Sequence, residues 1–265
     1  MAETAAPIQV QTVFNRIEKK YLLPEPIYLA VREKLAPYME VDRFGLTTIC
    51  NIYYDTDNNE LIRRSIEGPV YKEKLRLRCY GVPKLDSLSF LEIKKKYDGV
   101  VNKRRVTMPL REAYEYLENG TYPNKELSYG EALTFKELDF FIGRYKTIRP
   151  ALLLCYDRIA MFQTDNPEFR ITFDTNIRSR RTDIRMEHGP DGTQLLPPGY
   201  YLMETKIMDA SPLWFTQLMS ELSVYLTPFS KYGNIYKMEH GAFDAQKYIS
   251  HRLENWERKG EINYV

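Results

Sequence analysis

The sequence predicts an α+β fold: a closed antiparallel β-barrel with helices packed on its outside. Three observations lead there. The stretch Tyr71–Tyr80, YKEKLRLRCY, separates with a period of two into Lys72, Lys74, Arg76 and Arg78 on one face and Tyr71, Leu75, Leu77 and Cys79 on the other, with Glu73 as the one exception. Six further segments carry basic residues in phase, several with an acid two positions away: Arg16, Glu18 and Lys20; Glu92, Lys94 and Lys96; Lys103 and Arg105; Tyr156 and Arg158; Arg170, Thr172 and Asp174; Glu204 and Lys206. Helical stretches with apolar stripes separate these segments and need a surface to pack on. One charged alternating strand is usually a solvated face. Cations repeated along one face repel each other unless something anionic sits among them, and seven strands in phase fit a barrel whose charged face lines a wet channel.

Residues 1–10 read as a loose arm and residues 11–265 as one domain. A first strand is predicted over 11–23. Pro24-Glu-Pro26 opens a helix through Tyr38, with Ile27, Val31 and Leu35 as its stripe. TTICNIYY at 47–54 is the second strand, followed by a turn and a short helix over 58–65. Strands over 70–80, 88–97 and 100–109 form a meander, the last joint marked by Asp98-Gly99. Residues 110–147 read as a helical insertion. Strands return at 150–162, 169–174 and 200–207, with a turn-rich link at 186–199 between the last two. Ser211-Pro212 starts a helix through Leu222, and C-terminal helices are expected over about 231–259, broken near Gly241.

Lys plus Arg total 38 against 36 Asp plus Glu, so the net charge is only +2. That excludes a generally basic nucleic-acid binder and points to a focused anion site. Cys50, Cys79 and Cys155 lack metal-ligand spacing and read as buried thiols of a reducing compartment. No signal peptide or membrane span is predicted, so a cytoplasmic protein is expected, and any membrane link would need a separate partner. His188, His240 and His251 lack an HExxH context, and no GxxxxGK[ST], GxGxxG or GxSxG motif occurs.

A channel lined by lysine and arginine binds a polyanion, and its shape suits a linear triphosphate or polyphosphate. An acid on a phosphate-binding face repels the ligand unless a divalent cation lies between them. Glu18, Glu92 and Glu204 are therefore candidate ligands of Mg²⁺ or Mn²⁺, the alternative being that each balances neighbouring lysines.

The ordered set of motifs resembles the triphosphate tunnel metalloenzymes and, within them, the vacuolar transporter chaperone polyphosphate polymerase domain. It comprises RxExKY at 16–21, NIYYDT at 51–56, KLRLRCY at 74–80, FLEIKKK at 90–96, NKRR at 102–105, CYDR at 155–158, FRITFD at 169–174, METK at 203–206 and FSKY at 229–232. Arg16 stands where the tunnel family's first glutamate would be. The resemblance implies transfer of the γ-phosphoryl group of ATP onto a growing polyphosphate chain with Mn²⁺ or Mg²⁺. Lys20, Arg76, Arg78, Lys94, Arg158, Arg170 and Lys231 would grip phosphates, and Tyr156 and Ser230 would add hydroxyl contacts. Arg16, Lys74, Lys206 and Lys103 or Arg105 would extend the substrate contacts, and Glu204 would hold the metal. Arg76 and Lys231 are expected to have ligand rather than core as partners. Hydrolysis of triphosphate or nucleoside triphosphates in the same tunnel, and non-catalytic polyphosphate sensing, are the competing readings. Nucleic-acid binding is disfavoured because aromatic side chains are expected mostly on the face opposite the cations.

Overall fold

The computed structural model describes residues 17–98, 100–208 and 210–257; the arm expected over 1–10 and Arg16 lie outside them. In chain order the elements are β1 (Ile17–Pro24), α1 (Glu25–Leu35), β2 (Met39–Val41), β3 (Thr47–Asp55), α2 (Glu60–Glu67), β4 (Tyr71–Tyr80), β5 (Leu88–Tyr97), β6 (Val100–Pro109), α3 (Leu110–Asn119), α4 (Tyr129–Arg144), β7 (Arg149–Gln163), β8 (Arg170–Arg180), β9 (Thr193–Gln194), β10 (Tyr200–Ile207), α5 (Leu213–Glu221), α6 (Lys231–Glu239) and α7 (Ala245–Glu257). The strands form one antiparallel sheet in the order β1-β10-β8-β7-β3-β4-β5-β6, with β2 added to β7 and β9 to β8.

The sheet curls into the expected barrel without closing its hydrogen bonds all the way round. Among the described residues no ladder joins β1 to β6. The free edge of β1 is taken instead by the segment before α6. Thr227 N donates to the Lys20 carbonyl (2.7 Å), and its hydroxyl accepts from Leu22 N (3.4 Å). The curl still brings Glu18 of β1 within 3.5 Å of Lys94 of β5.

The outward face is apolar and buried under helices. Leu75, Leu77, Leu91, Ile93, Val106 and Met108 pack against Leu110 and Ala113 of α3 and Phe135, Leu138 and Phe141 of α4. Tyr21, Leu23, Ile171, Phe173 and Met203 pack against Tyr28, Val31 and Leu35 of α1 and Phe215 and Leu218 of α5. Each fully buried side chain of this size contributes about 1.5–3 kcal/mol. Cys50 lies opposite both Cys79 and Cys155 in register, and all three are free, buried thiols within this layer. Glu73, the exception in β4, also points outward. It accepts from the Tyr71 and Tyr145 hydroxyls (2.6 Å each) and lies 3.6 Å from Arg144 at the end of α4, so its burial is satisfied.

A third cluster fills part of the inward face. Ile62 of α2, Phe229 just before α6, and Tyr232 and Ile235 within it pack on Ile49, Leu152, Leu154 and Leu202. Asp55 ties this plug to the barrel. Fully buried at the end of β3, it accepts from Leu61 N (2.8 Å) and Ile62 N (3.0 Å) at the start of α2, and from the Tyr232 hydroxyl (3.0 Å). The carboxylate thus satisfies amides that Asn59, the N-cap residue, leaves uncapped, and it fixes α6 beside the charged cluster. Asp55→Ala is expected to cost about 3 kcal/mol, because buried donors lose their acceptor. Denaturant unfolding checks this, and a change below about 1 kcal/mol would contradict the assigned role.

Candidate functional site

The ladders place the predicted cations on one concave surface. Lys20 lies opposite Glu204, Glu18 opposite Lys206, and Arg158 opposite Asp174. On the other side of the barrel, Arg76 lies opposite Glu92, Glu92 opposite Arg105, and Lys94 opposite both Lys74 and Lys103. Both Lys103 and Arg105 therefore face inward. Two buried carboxylates organise this surface. Glu92, 1% exposed, accepts from Arg76 Nε (3.0 Å) and Nη2 through one oxygen, and from Arg105 Nε (2.8 Å) and Nη2 and Lys103 Nζ (2.6 Å) through the other. Asp174, fully buried, accepts from Arg158 Nε (2.5 Å) and Nη2 (2.8 Å) and from Lys231 Nζ (2.5 Å). Arg76 and Lys231 thus have buried acids as partners. This corrects the expectation that only ligand would meet them, since each carboxylate must be neutralised where it is buried.

Tyr156 joins the two halves. Its hydroxyl accepts from Arg78 Nη2 (3.1 Å), and its ring lies 5.0 Å from the Arg158 guanidinium and 4.6 Å from Lys231 Nζ. Asn51 accepts from Arg78 Nε (2.9 Å), and the Tyr53 hydroxyl from Arg76 Nη1 (3.4 Å). Tyr53, Phe90 and Tyr156 share the cationic face, and the Arg105 guanidinium stands 4.8 Å from the Phe90 ring. The expected separation of aromatic from basic faces does not hold here. Asn51, Tyr53 and Asp174 were missing from the predicted site. The alternation of NIYYDT carries the signal for the first two, and the phase of Asp174 with Arg170 and Thr172 carries it for the third.

Two predicted groups stand apart. Arg170 is exposed at the start of β8, with Nε donating to the Pro167 carbonyl (3.0 Å), outside the buried cluster. Ser230 is the N-cap of α6, its hydroxyl accepting from Gly233 N (3.2 Å).

Charge is not balanced on this surface. Among the described residues Lys20, Lys74, Arg76, Arg78, Lys94, Lys103, Arg105, Arg158, Lys206 and Lys231 face Glu18, Glu92, Asp174 and Glu204 alone. Among the described residues neither Lys74 nor the buried Arg78 has a carboxylate at ion-pair distance. Burial, with Lys20, Lys72 and Lys94 nearby, outweighs Tyr53 and pushes Lys74 down to about 8. Burial, with Arg105 and Arg76, outweighs Glu92 and does the same to Lys103, also to about 8. Burial pushes the Tyr53 phenol up, yet Arg76, Lys74 and Arg78 hold it at about 8. Burial likewise opposes ionisation of Glu92 and Asp174, but their cations hold both well below the carboxylate range. Glu204 is held at about 2, with Lys20, Lys206, Lys231 and Arg158 overriding its burial.

The VTC domain profile matches residues 15–240 of the chain. The chain belongs to the VTC domain family. Solved structures similar to this VTC domain include a candidate adenylate cyclase from Bacillus halodurans (14% identity, TM-score 0.49, covering 81% of this chain and 93% of that one). A second, from Vibrio parahaemolyticus, shows 13% identity and a TM-score of 0.46, covering 85% and 99%. A third, from Hippeastrum, is described as a candidate adenylyl cyclase with a dominant triphosphatase activity (15% identity, TM-score 0.49, covering 86% and 97%). No curated protein matches the VTC domain here.

The donor set for a metal is small. No group of three or more His, Cys, Asp or Glu able to hold an ion occurs among the described residues. Glu92 is engaged at both oxygens by three cations, so it serves here as their counter-charge. Among the described residues Glu204 has lysines at 3.8 and 4.0 Å and Glu18 has Lys94 at 3.5 Å as its charged partners at ion-pair distance. Glu18 and Glu204 are diagonal neighbours on paired strands. One or two carboxylates, with phosphate oxygens completing the shell, is how Mg²⁺ is commonly held, so these residues fit such an ion.

The lysine shifts fix the sign of a pH effect. An unfolded lysine keeps its proton to about 10.4, so between about pH 8 and 10 the unfolded chain holds more protons and the empty fold gains stability as pH rises. A bound polyanion favours the protonated amines, so binding takes up protons in that window and weakens as pH rises. Calorimetry of tripolyphosphate binding at about pH 9, in buffers of different ionisation enthalpy, should show net proton uptake, and its absence would contradict the assignment. Glu92→Gln removes one of the few counter-charges. It is expected to cost about 2–3 kcal/mol in the empty protein and to enlarge the stabilisation that tripolyphosphate confers, both read by thermal unfolding.

Proposed function

We propose that this VTC domain is a metal-dependent phosphotransferase that moves the γ-phosphoryl group of ATP onto inorganic polyphosphate. The observation that carries the reading is the excess of cations on the barrel's inward face, which includes a buried Arg78 with no carboxylate at ion-pair distance among the described residues. An extended polyanion supplies the missing charge. Transfer between phosphates has little covalent work for the protein beyond positioning and charge stabilisation. Arg76 and Arg158 are pre-set by Glu92 and Asp174 and would present their remaining donors to phosphate oxygens. Lys20, Lys94 and Lys206 would neutralise the chain at the more open side. Glu204, with Glu18, would hold Mn²⁺ or Mg²⁺, which would act there as a Lewis acid offsetting phosphate charge.

Hydrolysis would use the same lining with water as acceptor. An anionic phosphate acceptor needs no general base, whereas water does, so the two reactions are told apart by their products. No described helix is long and apolar enough to cross a membrane. A cytoplasmic site of action accords with the three free thiols.

Incubation with ATP and Mn²⁺ should yield long phosphate chains on a gel. ADP and orthophosphate alone would overturn the polymerase reading in favour of hydrolysis. Because Arg76 and Lys231 hold buried acids, Lys74→Met is the cleaner variant. It should raise the melting temperature of the empty protein and lower turnover at least about tenfold. Glu204→Gln should abolish metal-dependent turnover and keep tripolyphosphate binding, as read by calorimetry beside the activity assay.

A further inference from the structure

The cationic ladder continues past the cluster. On the inward side of β4 and β5, beyond Lys74 and Lys94, Lys72 lies directly opposite Lys96. Like charges directly opposite on paired strands repel, and neither amine has a carboxylate at ion-pair distance among the described residues. The contrast with the outward face of the same hairpin is sharp. There Lys95 and Arg104, diagonal neighbours across β5 and β6, share Glu137 of α4 at 2.6 and 2.8 Å. Lys72 and Lys96 are both partly buried, and Lys72 Nζ reaches only the Ser65 carbonyl of α2 (3.4 Å). Burial, with Lys96 beside it, pulls the Lys72 amine below the ordinary lysine range.

Geometry gives this pair a reach. From Arg76 through Lys74 to Lys72 is four residues of strand, about 13 Å. Glu92 lies opposite Arg76 and Glu18 pairs with Lys94, and none of the inward carboxylates Glu18, Glu92, Asp174 and Glu204 is at ion-pair distance from Lys72 or Lys96. A triphosphate seated among Arg76, Arg158 and Lys20 leaves Lys72 and Lys96 without an anion, whereas a longer chain covers them.

We propose that Lys72 and Lys96 form a distal subsite that holds the part of a phosphate chain extending beyond a triphosphate. The pair makes the site selective for long inorganic polyphosphate. This rests on the reading of the inward face as a polyanion site and is independent of which acceptor attacks.

The test is equilibrium binding, without ATP turnover, of tripolyphosphate and of long-chain inorganic polyphosphate to the parent and to the Lys72→Gln/Lys96→Gln double variant at one salt concentration. Expected are a tripolyphosphate affinity within about twofold of the parent and a long-chain affinity weakened about tenfold or more. The variant should melt no lower than the parent, since the substitutions relieve a like-charge contact. Equal weakening of both ligands, or of neither, overturns the subsite. If the parent binds neither anion, the reading of the inward face falls with it. If long chains bind and the double variant discriminates while ATP yields no polymer, the subsite stands and only the polymerase reading fails.

Discussion

Repulsion among cations on the concave face of a curled sheet is the constraint that the rest of this structure serves. The outward face is committed to hydrocarbon under α1, α3, α4 and α5, so strand alternation leaves the basic residues only the inside. At an effective dielectric near 20, two unit charges 4 Å apart interact by about 4 kcal/mol. Two buried carboxylates can hold five cations at that scale, and here they do. Glu92 gathers Arg76, Lys103 and Arg105, and Asp174 gathers Arg158 and Lys231. Lys74 and Arg78 remain outside that arrangement, and the depression of Lys74 shows the cost left in the empty fold. Binding sites characteristically carry such local destabilisation.

Much of this was legible in the sequence because period two is a strong signal when a strand is charged on one side. The bounds of β5, β6 and β10 coincide with the predicted segments, since Asp98-Gly99 and the prolines around β10 punctuate them. The strands β2 and β9 are two or three residues long and carry no alternation to read. Partnerships were less legible than faces. Glu92 meets residues 11 to 16 positions away, and Lys231 reaches Asp174 across 57. Only the ladder register and the docking of α6 set these distances. For Arg170 the phase was right and the place was not, because a strand end lets a long side chain turn back to its own loop. The aromatic side chains were expected mostly on the face opposite the cations, and three of them are not. In β3 and β7, Tyr53 and Tyr156 sit in phase with the cations and supply hydroxyl acceptors that carboxylates would otherwise have to provide.

The division of labour between arginine and lysine inside the barrel has a physical sense of its own. The arginines nearest the plug, Arg76, Arg78 and Arg158, are each fixed by two or more hydrogen bonds. A guanidinium so held is a rigid fork of permanent charge, suited to a phosphoryl group whose geometry changes little once it is seated. Lys74 and Lys94 on one wall and Lys206 on the other are held less tightly, although Lys231 beside the plug and the exposed Arg170 opposite Lys206 do not follow this division. A lysine is a compact charge on a flexible stem, able to follow an oxygen as it moves without breaking a fixed geometry. Under the proposed function, a catalyst that lengthens a chain would have to hold one phosphate still and let the rest advance after each transfer. A face with rigid forks at the closed side and pliant amines at the open side meets both demands, whereas a face of arginines throughout would bind the product too rigidly to let it move on.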